Sequence, residues 1–252
     1  MGAEVQKTVT DPAGRPPSGV HGTERRTPAK LHLYFILFSL VFAAIVLAGF
    51  SRTFFIPVAR GTFSRPPVVY IHGALFFAWT ALLVSQSVLA ATGRLKAHRL
   101  VGSSAAWLVL PMLALGTIVA VRDTIHHYQE GQGDAALAFF YGELADLAMF
   151  GLLAGAAMLL RNRPDIHKRW VLLGSLGLIG AAVGRVPELH GLFLYIFLEL
   201  IASMAVYDLL SRRSIHAATA TGAAVLLALG LSEDFIGNTQ AWLRTAHFLL
   251  GV

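Results

Sequence analysis

The chain has 252 residues, of which 56% are apolar and only 13% charged, about half the ~25% of an ordinary soluble domain. With so little charged surface and a mean hydropathy of +0.64, it suits a lipid bilayer rather than water. Cysteine is absent, which excludes disulfides, thiolate metal sites, iron–sulfur clusters and covalently attached c-type haem; the net charge of +6 lies in short loops between apolar spans, a pattern that sets membrane orientation and leaves no nucleic-acid surface.

Residues 1–30 mix Pro, Gly, Thr and scattered charges with no apolar periodicity, the composition of a disordered tail. A first span is predicted over 31–50, long enough at ~1.5 Å per residue to cross a ~30 Å hydrocarbon core. Arg52, Arg60 and Arg65 mark the loop that follows, and Pro66-Pro67 permit a fresh helix start. Three hairpins come next, with spans predicted over 68–91 and 103–121, 135–160 and 170–185, and 190–210 and 217–231. The segment 240–252 is too short to cross and is expected to lie in the interface, with Trp242 as its anchor. The expected fold is therefore an all-α membrane protein in which one lead helix precedes three hairpin repeats, forming a single domain over 31–252.

The hairpins carry an internal repeat. His72, Tyr141 and His190 each stand 26 residues before a histidine in a basic turn, His98, His167 and His216, and each is followed by glycine, Gly73, Gly142 and Gly191. Fourteen of the 20 Lys and Arg fall on the tail and the three turns. The positive-inside rule then places the N-terminus and the turns in the cytoplasm and the C-terminus outside. His98, Arg99, His167, Lys168, Arg169, Arg212, Arg213 and His216 are expected to face lipid headgroups, where each basic residue contributes roughly 1 kcal/mol near an anionic surface. Gly151 with Gly155 and Gly180 with Gly184 have the spacing of close helix contacts, making the second hairpin the expected centre of packing.

Glu143 and Asp146 are three apart, so they share one helical face, and Glu199 stands inside the sixth span. A charged group near the bilayer centre costs roughly 2.5–3.5 kcal/mol, so such residues face protein or water and mark proton, ion or ligand sites. Arg185, at the boundary of the fifth span, is the natural partner of Glu143 or Asp146. His72 and His190 occupy equivalent places in two repeats, with His126 and His127 on the same side, and are candidate ligands for a metal or a haem b, or contacts for a quinone headgroup. No span carries the two histidines ~13–14 residues apart that a stacked di-haem arrangement requires. The absence of lysine after Lys168 excludes a retinal Schiff base in the later spans, and no nucleotide loop or hydrolase motif is present.

The turns His98-Arg99-Leu100-Val101-Gly102 and His167-Lys168-Arg169-Trp170 resemble the His-Arg-x-x-Gly and His-x-Arg-Trp turns of uncharacterised bacterial multi-pass inner-membrane proteins. The likeness covers about residues 68–185. It implies a bacterial inner membrane and, through families with such turns, an association with cytochrome oxidase assembly or b-type haem. Three functions remain open: a redox-associated or assembly protein with an outer His/carboxylate site, a proton- or cation-coupled transporter or channel, and a non-catalytic subunit packed with other membrane subunits.

Overall fold

The computed structural model describes residues 29–252, so the expected disordered tail lies almost wholly outside the described residues. Those residues form helices and no strand. α1 is Ala29–Phe50, extended through a π turn at Ser51–Phe55 to Ala59. α2 is Pro67–Ala91, α3 Leu95–His127, α4 Asp134–Leu159, α5 Pro164–Ser175 with a 3₁₀ segment and a last turn reaching Val183, α6 Phe193–Arg212, α7 Ala217–Gly237 and α8 Gln240–Leu250. α1 to α7 are long and apolar enough to cross a membrane. The chain is an integral multi-pass membrane protein of one lead helix and three hairpins.

α3 and α5 start earlier than their apolar stretches, at Leu95 and Pro164, and α7 runs past Leu231 to Gly237. Helical hydrogen bonding continues wherever good helix formers such as Lys, Arg, Ala and Glu follow, so polarity does not end a helix at the interface. The turn between α2 and α3 shrinks to Thr92–Arg94, with Gly93 at φ +72 supplying the left-handed residue.

α4 and α5 are the most enclosed spans, 44% and 56% buried over their apolar windows, so the second hairpin is the centre as expected. Of the expected glycines, Gly151 packs on Leu113 of α3, where a Cβ would stand 3.0 Å from its Cδ1, but the tightest contacts between α4 and α5 are made by Gly174 and Gly177. A Cβ at Gly177 would stand 2.6 Å from the Asp146 carbonyl oxygen and one at Gly174 would stand 2.6 Å from the Ala154 amide nitrogen, whereas one at Gly155 would meet nothing within 4 Å. Gly180 does face α4, against the Asp146 carboxylate, whereas a Cβ at Gly184 would stand 3.2 Å from the carbonyl of Gly180 in its own helix turn. Spacing shows that small residues share a face; it does not show which face meets a neighbour.

The outward faces are apolar. Trp107 is 82% and Leu159 83% exposed, exposure that a bilayer, not water, accommodates. α8 presents Phe248 and Leu249 outward, and its start is capped by the Thr239 hydroxyl accepting from the Trp242 amide at 3.2 Å. Trp242 itself is not a free interfacial anchor: its indole N–H donates to the Leu137 carbonyl at 2.8 Å and its ring sits edge-on to Tyr141. It ties α8 to α4.

Candidate functional site

Two polar centres lie inside the bundle, one toward each end. At the end bearing the histidine turns, Arg169 in the second turn of α5 is 1% exposed and Asp208 in the last turns of α6 is 0% exposed. The two form an ion pair in which Arg169 Nε donates to Asp208 Oδ1 at 3.1 Å and Nη2 donates to the same oxygen; Nη1 donates to the Asp165 carbonyl at 2.8 Å. Asp208 Oδ2 accepts from the His216 amide at 3.0 Å and from the Thr219 hydroxyl. The guanidinium lies 5.7 Å from the Tyr207 ring, which stacks on Tyr34. Each charge is thereby paired and hydrogen-bonded, the condition for burying it.

Arg169 is therefore not a lipid-facing residue, as its place in a basic turn suggested. It is drawn inward by Asp208, 39 residues later, whose one cation among the described residues it is. The turn histidines are corrected in the same way. His98 Nδ1 pairs with the Gln86 carbonyl at 3.3 Å and His167 Nδ1 with the Ala157 carbonyl at 2.9 Å, so each histidine closes its hairpin onto the last turns of the preceding helix. His216 instead caps α7, its Nδ1 accepting from the Ala218 amide at 3.0 Å. Desolvation, with Arg169 and Arg212 nearby, lowers the His216 imidazole from its ordinary value, which keeps the accepting nitrogen unprotonated. Lys168 pairs with Asp165 at 2.8 Å, and Arg212 lies 4.0 Å from the same carboxylate. Arg99 and Arg213 remain exposed.

The second centre lies toward the opposite end. Glu143 and Asp146 share the inward face of α4, about 14 Å and 18 Å along it by helical rise. Asp146 Oδ2 rests against Gly180 of α5, where a Cβ would approach it to 3.0 Å. Glu233 of α7 joins them: its Oε2 lies against Gly142, 3.2 Å from where a Cβ would stand, and it acts electrostatically on Asp146, as does Glu143. Gly142, the glycine of the second repeat, thus makes room for a carboxylate of the third hairpin. Asp123 of α3 and Arg185 act on Glu143.

Arg185 closes no salt bridge with Glu143. Its guanidinium lies over the Phe50 ring at 4.5 Å and donates to the Ala181 carbonyl. Desolvation lowers it from the ordinary arginine value and the Asp123 and Glu143 carboxylates oppose that shift, so it stays a cation. His72, on α2, lies against the Phe76 ring at 4.3 Å with its Nδ1 buried and without a hydrogen-bond partner among the described residues, and it feels the Arg185 charge. Glu199 is not brought to this centre; it is exposed on α6. The His190 backbone lies in the 3₁₀ segment Pro187–Leu192, but its side chain falls outside the described residues, so the expected pairing with His72 is not among the contacts seen. Among the described residues, no three His, Asp or Glu side chains form a metal-ligating group, and nothing supports a haem or metal site.

A cleft of about 240 Å³ between α3 and α4 leads from His127 and Gln132 at the bundle end past Thr124 and Ala136 to Glu143. At its mouth Gln132 and His127 hydrogen-bond at 3.0 Å, and His127 lies 3.3 Å from Glu130 and 3.8 Å from Asp123. His126 faces Glu130 at 3.4 Å.

Glu233 and the Arg169–Asp208 pair are absent from the sequence-level site. Glu233 follows Leu231, where the apolar run ends; the one available signal is its place two residues beyond a span, on a helix without a stop residue before Gly237. For Asp208 the signal is a lone acid one turn from a basic turn. The chain matches no family model, no curated protein and no solved structure.

Proposed function

We propose that the chain is a proton-coupled membrane transporter whose proton-binding element is the set Glu143, Asp146 and Glu233. The observation that supports this is a charge count: three carboxylates from α4 and α7 converge within the spans, and among the described residues Arg185 at the edge is the one cation that acts on them. Fully ionised, the set would hold at least two uncompensated negative charges in a low-dielectric site, a state the membrane interior strongly penalises. Proton uptake removes that penalty, and proton release recreates it. A group that must be neutralised to sit where it does is suited to coupling protonation to a conformational change. The α3–α4 cleft supplies the aqueous route to Glu143, and the Arg169–Asp208 pair seals the other end of the bundle. By the distribution of Lys and Arg, the cleft opens to the outside and the sealed end faces the cytoplasm.

In proteoliposomes under an imposed pH gradient, wild-type protein is expected to acidify the lumen faster than protein-free vesicles. Asp146→Asn and Glu233→Gln should each cut the initial rate at least tenfold, and Glu199→Gln should leave it unchanged. Wild-type flux no greater than in empty vesicles would remove the proposal, and flux carried by sodium or potassium in place of protons would reassign the site to a cation.

The route can be tested separately because the chain has no cysteine of its own. Phe139→Cys, on the exposed wall of the cleft, is expected to react with a charged methanethiosulfonate reagent, and Met112→Cys, fully enclosed among apolar residues, is not. Equal protection of both would show that water does not reach Glu143 between α3 and α4.

A further inference from the structure

α6 presents an outward stripe that the other described residues leave uncovered. Leu194, Tyr195, Leu198, Val206, Leu209 and Leu210 on it are exposed apolar side chains. Tyr195, Glu199, Ala202 and Val206, spaced by four, three and four residues, form its centre line. Glu199 is exposed, and it makes no hydrogen bond or ion pair with any described residue. It stands about 9 Å along α6 from Phe193 by helical rise, inside the span and beyond the reach of a short carboxylate side chain to the interface.

A carboxylate facing lipid at that depth is expensive, and the same stripe carries a small residue, Ala202, one turn further on. Small residues in an apolar stripe permit close helix approach, and a polar group within it fixes register through an interhelical hydrogen bond. Both features fit a covering helix.

A second copy of this chain is the poorer cover. A symmetric contact through the stripe places α6 on α6 and brings Glu199 against Glu199, a juxtaposition of like charges. Among the described residues no cation lies within the stripe: of the arginines on the α1 and α5 sides of α6, Arg52 pairs with Glu188 and Arg185 lies over the Phe50 ring. Charge complementarity calls for a lysine or arginine from elsewhere. We propose that the Tyr195–Glu199–Ala202–Val206 face of α6 docks a transmembrane helix of another protein that presents a basic side chain at the depth of Glu199. This surface is separate from the Glu143–Asp146–Glu233 site, so it stands whether or not that site moves protons.

The test uses the full chain, fluorescently labelled and reconstituted in phosphatidylcholine vesicles, with synthetic polyleucine peptides of about 20 residues as probes. One peptide carries a single lysine about 9 Å from its end, and its control carries leucine there. Energy transfer is expected to show the lysine peptide binding at least tenfold more tightly, and Glu199→Gln should abolish that difference. The glutamine variant is expected to unfold at the wild-type temperature, since Glu199 has no partner to lose, which separates lost docking from lost folding. Equal binding of the two peptides would overturn the proposal. So would efficient disulfide-linked dimerisation of an Ala202→Cys variant in otherwise unmodified vesicles, which would identify a second copy as the occupant.

Discussion

Arg169→Met is expected to destabilise the protein by about 3–5 kcal/mol, the cost of leaving one member of a buried ion pair without the other. Asp208 is fully enclosed, so removal of the guanidinium leaves a carboxylate in the interior with only the His216 amide and the Thr219 hydroxyl as donors. The double variant Arg169→Met, Asp208→Leu removes both charges and should be more stable than Arg169→Met alone, because an apolar pair of similar volume has no desolvation penalty to offset. Recovery should be incomplete, since the His216 amide then lacks its acceptor beside the cap of α7. Unfolding of the three proteins in mixed micelles of dodecyl maltoside and dodecyl sulfate measures the order. A single variant within 1 kcal/mol of wild type would show that the pair does not hold α5, α6 and α7 together at this end.

The second large effect is expected at Gly177. An added methyl there would stand 2.6 Å from the Asp146 carbonyl oxygen, 2.8 Å from the Met149 Cβ and 2.9 Å from the Phe150 amide nitrogen. Two of these three are backbone atoms, which cannot swing away as a flexible side chain would, so α4 and α5 must separate. Overpacking of this kind costs about 1–3 kcal/mol for a small group, and Gly177→Leu should exceed that range and prevent accumulation in the membrane. Gly155→Ala is the contrasting variant. It meets nothing within 4 Å, and the helical preference for alanine over glycine should make it neutral or stabilising by up to about 1 kcal/mol. Comparable loss in Gly155→Ala and Gly177→Ala would contradict the packing described. Because Gly177 sets the height of α4 at Asp146, Gly177→Ala should also slow proton flux in whatever fraction folds.

The two centres give the bundle an asymmetry with functional meaning. At the histidine-turn end every buried charge has its counter-charge, and the hairpins are closed by histidine–carbonyl bonds; that end is built to stay shut. At the other end carboxylates outnumber cations, a cleft reaches Glu143, and Glu143 meets Arg185 only across space. On the transport reading proposed above, this is the end whose stability changes with protonation.

Much of the architecture is dictated locally and is legible in the chain. Seven spans follow from apolar runs long enough to cross a bilayer, because in lipid each segment must satisfy its own backbone hydrogen bonds as a helix. Glu143 and Asp146 are legible as a pair because three residues bring side chains to one face. The 26-residue repeat is legible too, and its structural meaning holds in two copies, where His98 and His167 close their hairpins alike. The third departs, with His216 capping α7.

Tertiary structure alone decided what those faces meet. Arg169 lies in a turn whose charge suits lipid headgroups, and only Asp208, from another hairpin, draws it inward. Glu233 sits past the end of an apolar run, and only the cradle at Gly142 makes it part of a carboxylate set. Glu199 looks like Glu143 in the chain, an acid inside a span, yet Glu143 faces protein and Glu199 faces outward. Periodicity fixes the angle of a side chain around its own helix; the rotation of that helix against its neighbours is set by close approaches such as Gly177 on Asp146, which depend on two distant segments at once. The sequence by itself therefore determined the helices, their number and their polar positions, and the tertiary structure determined which polar positions became a site.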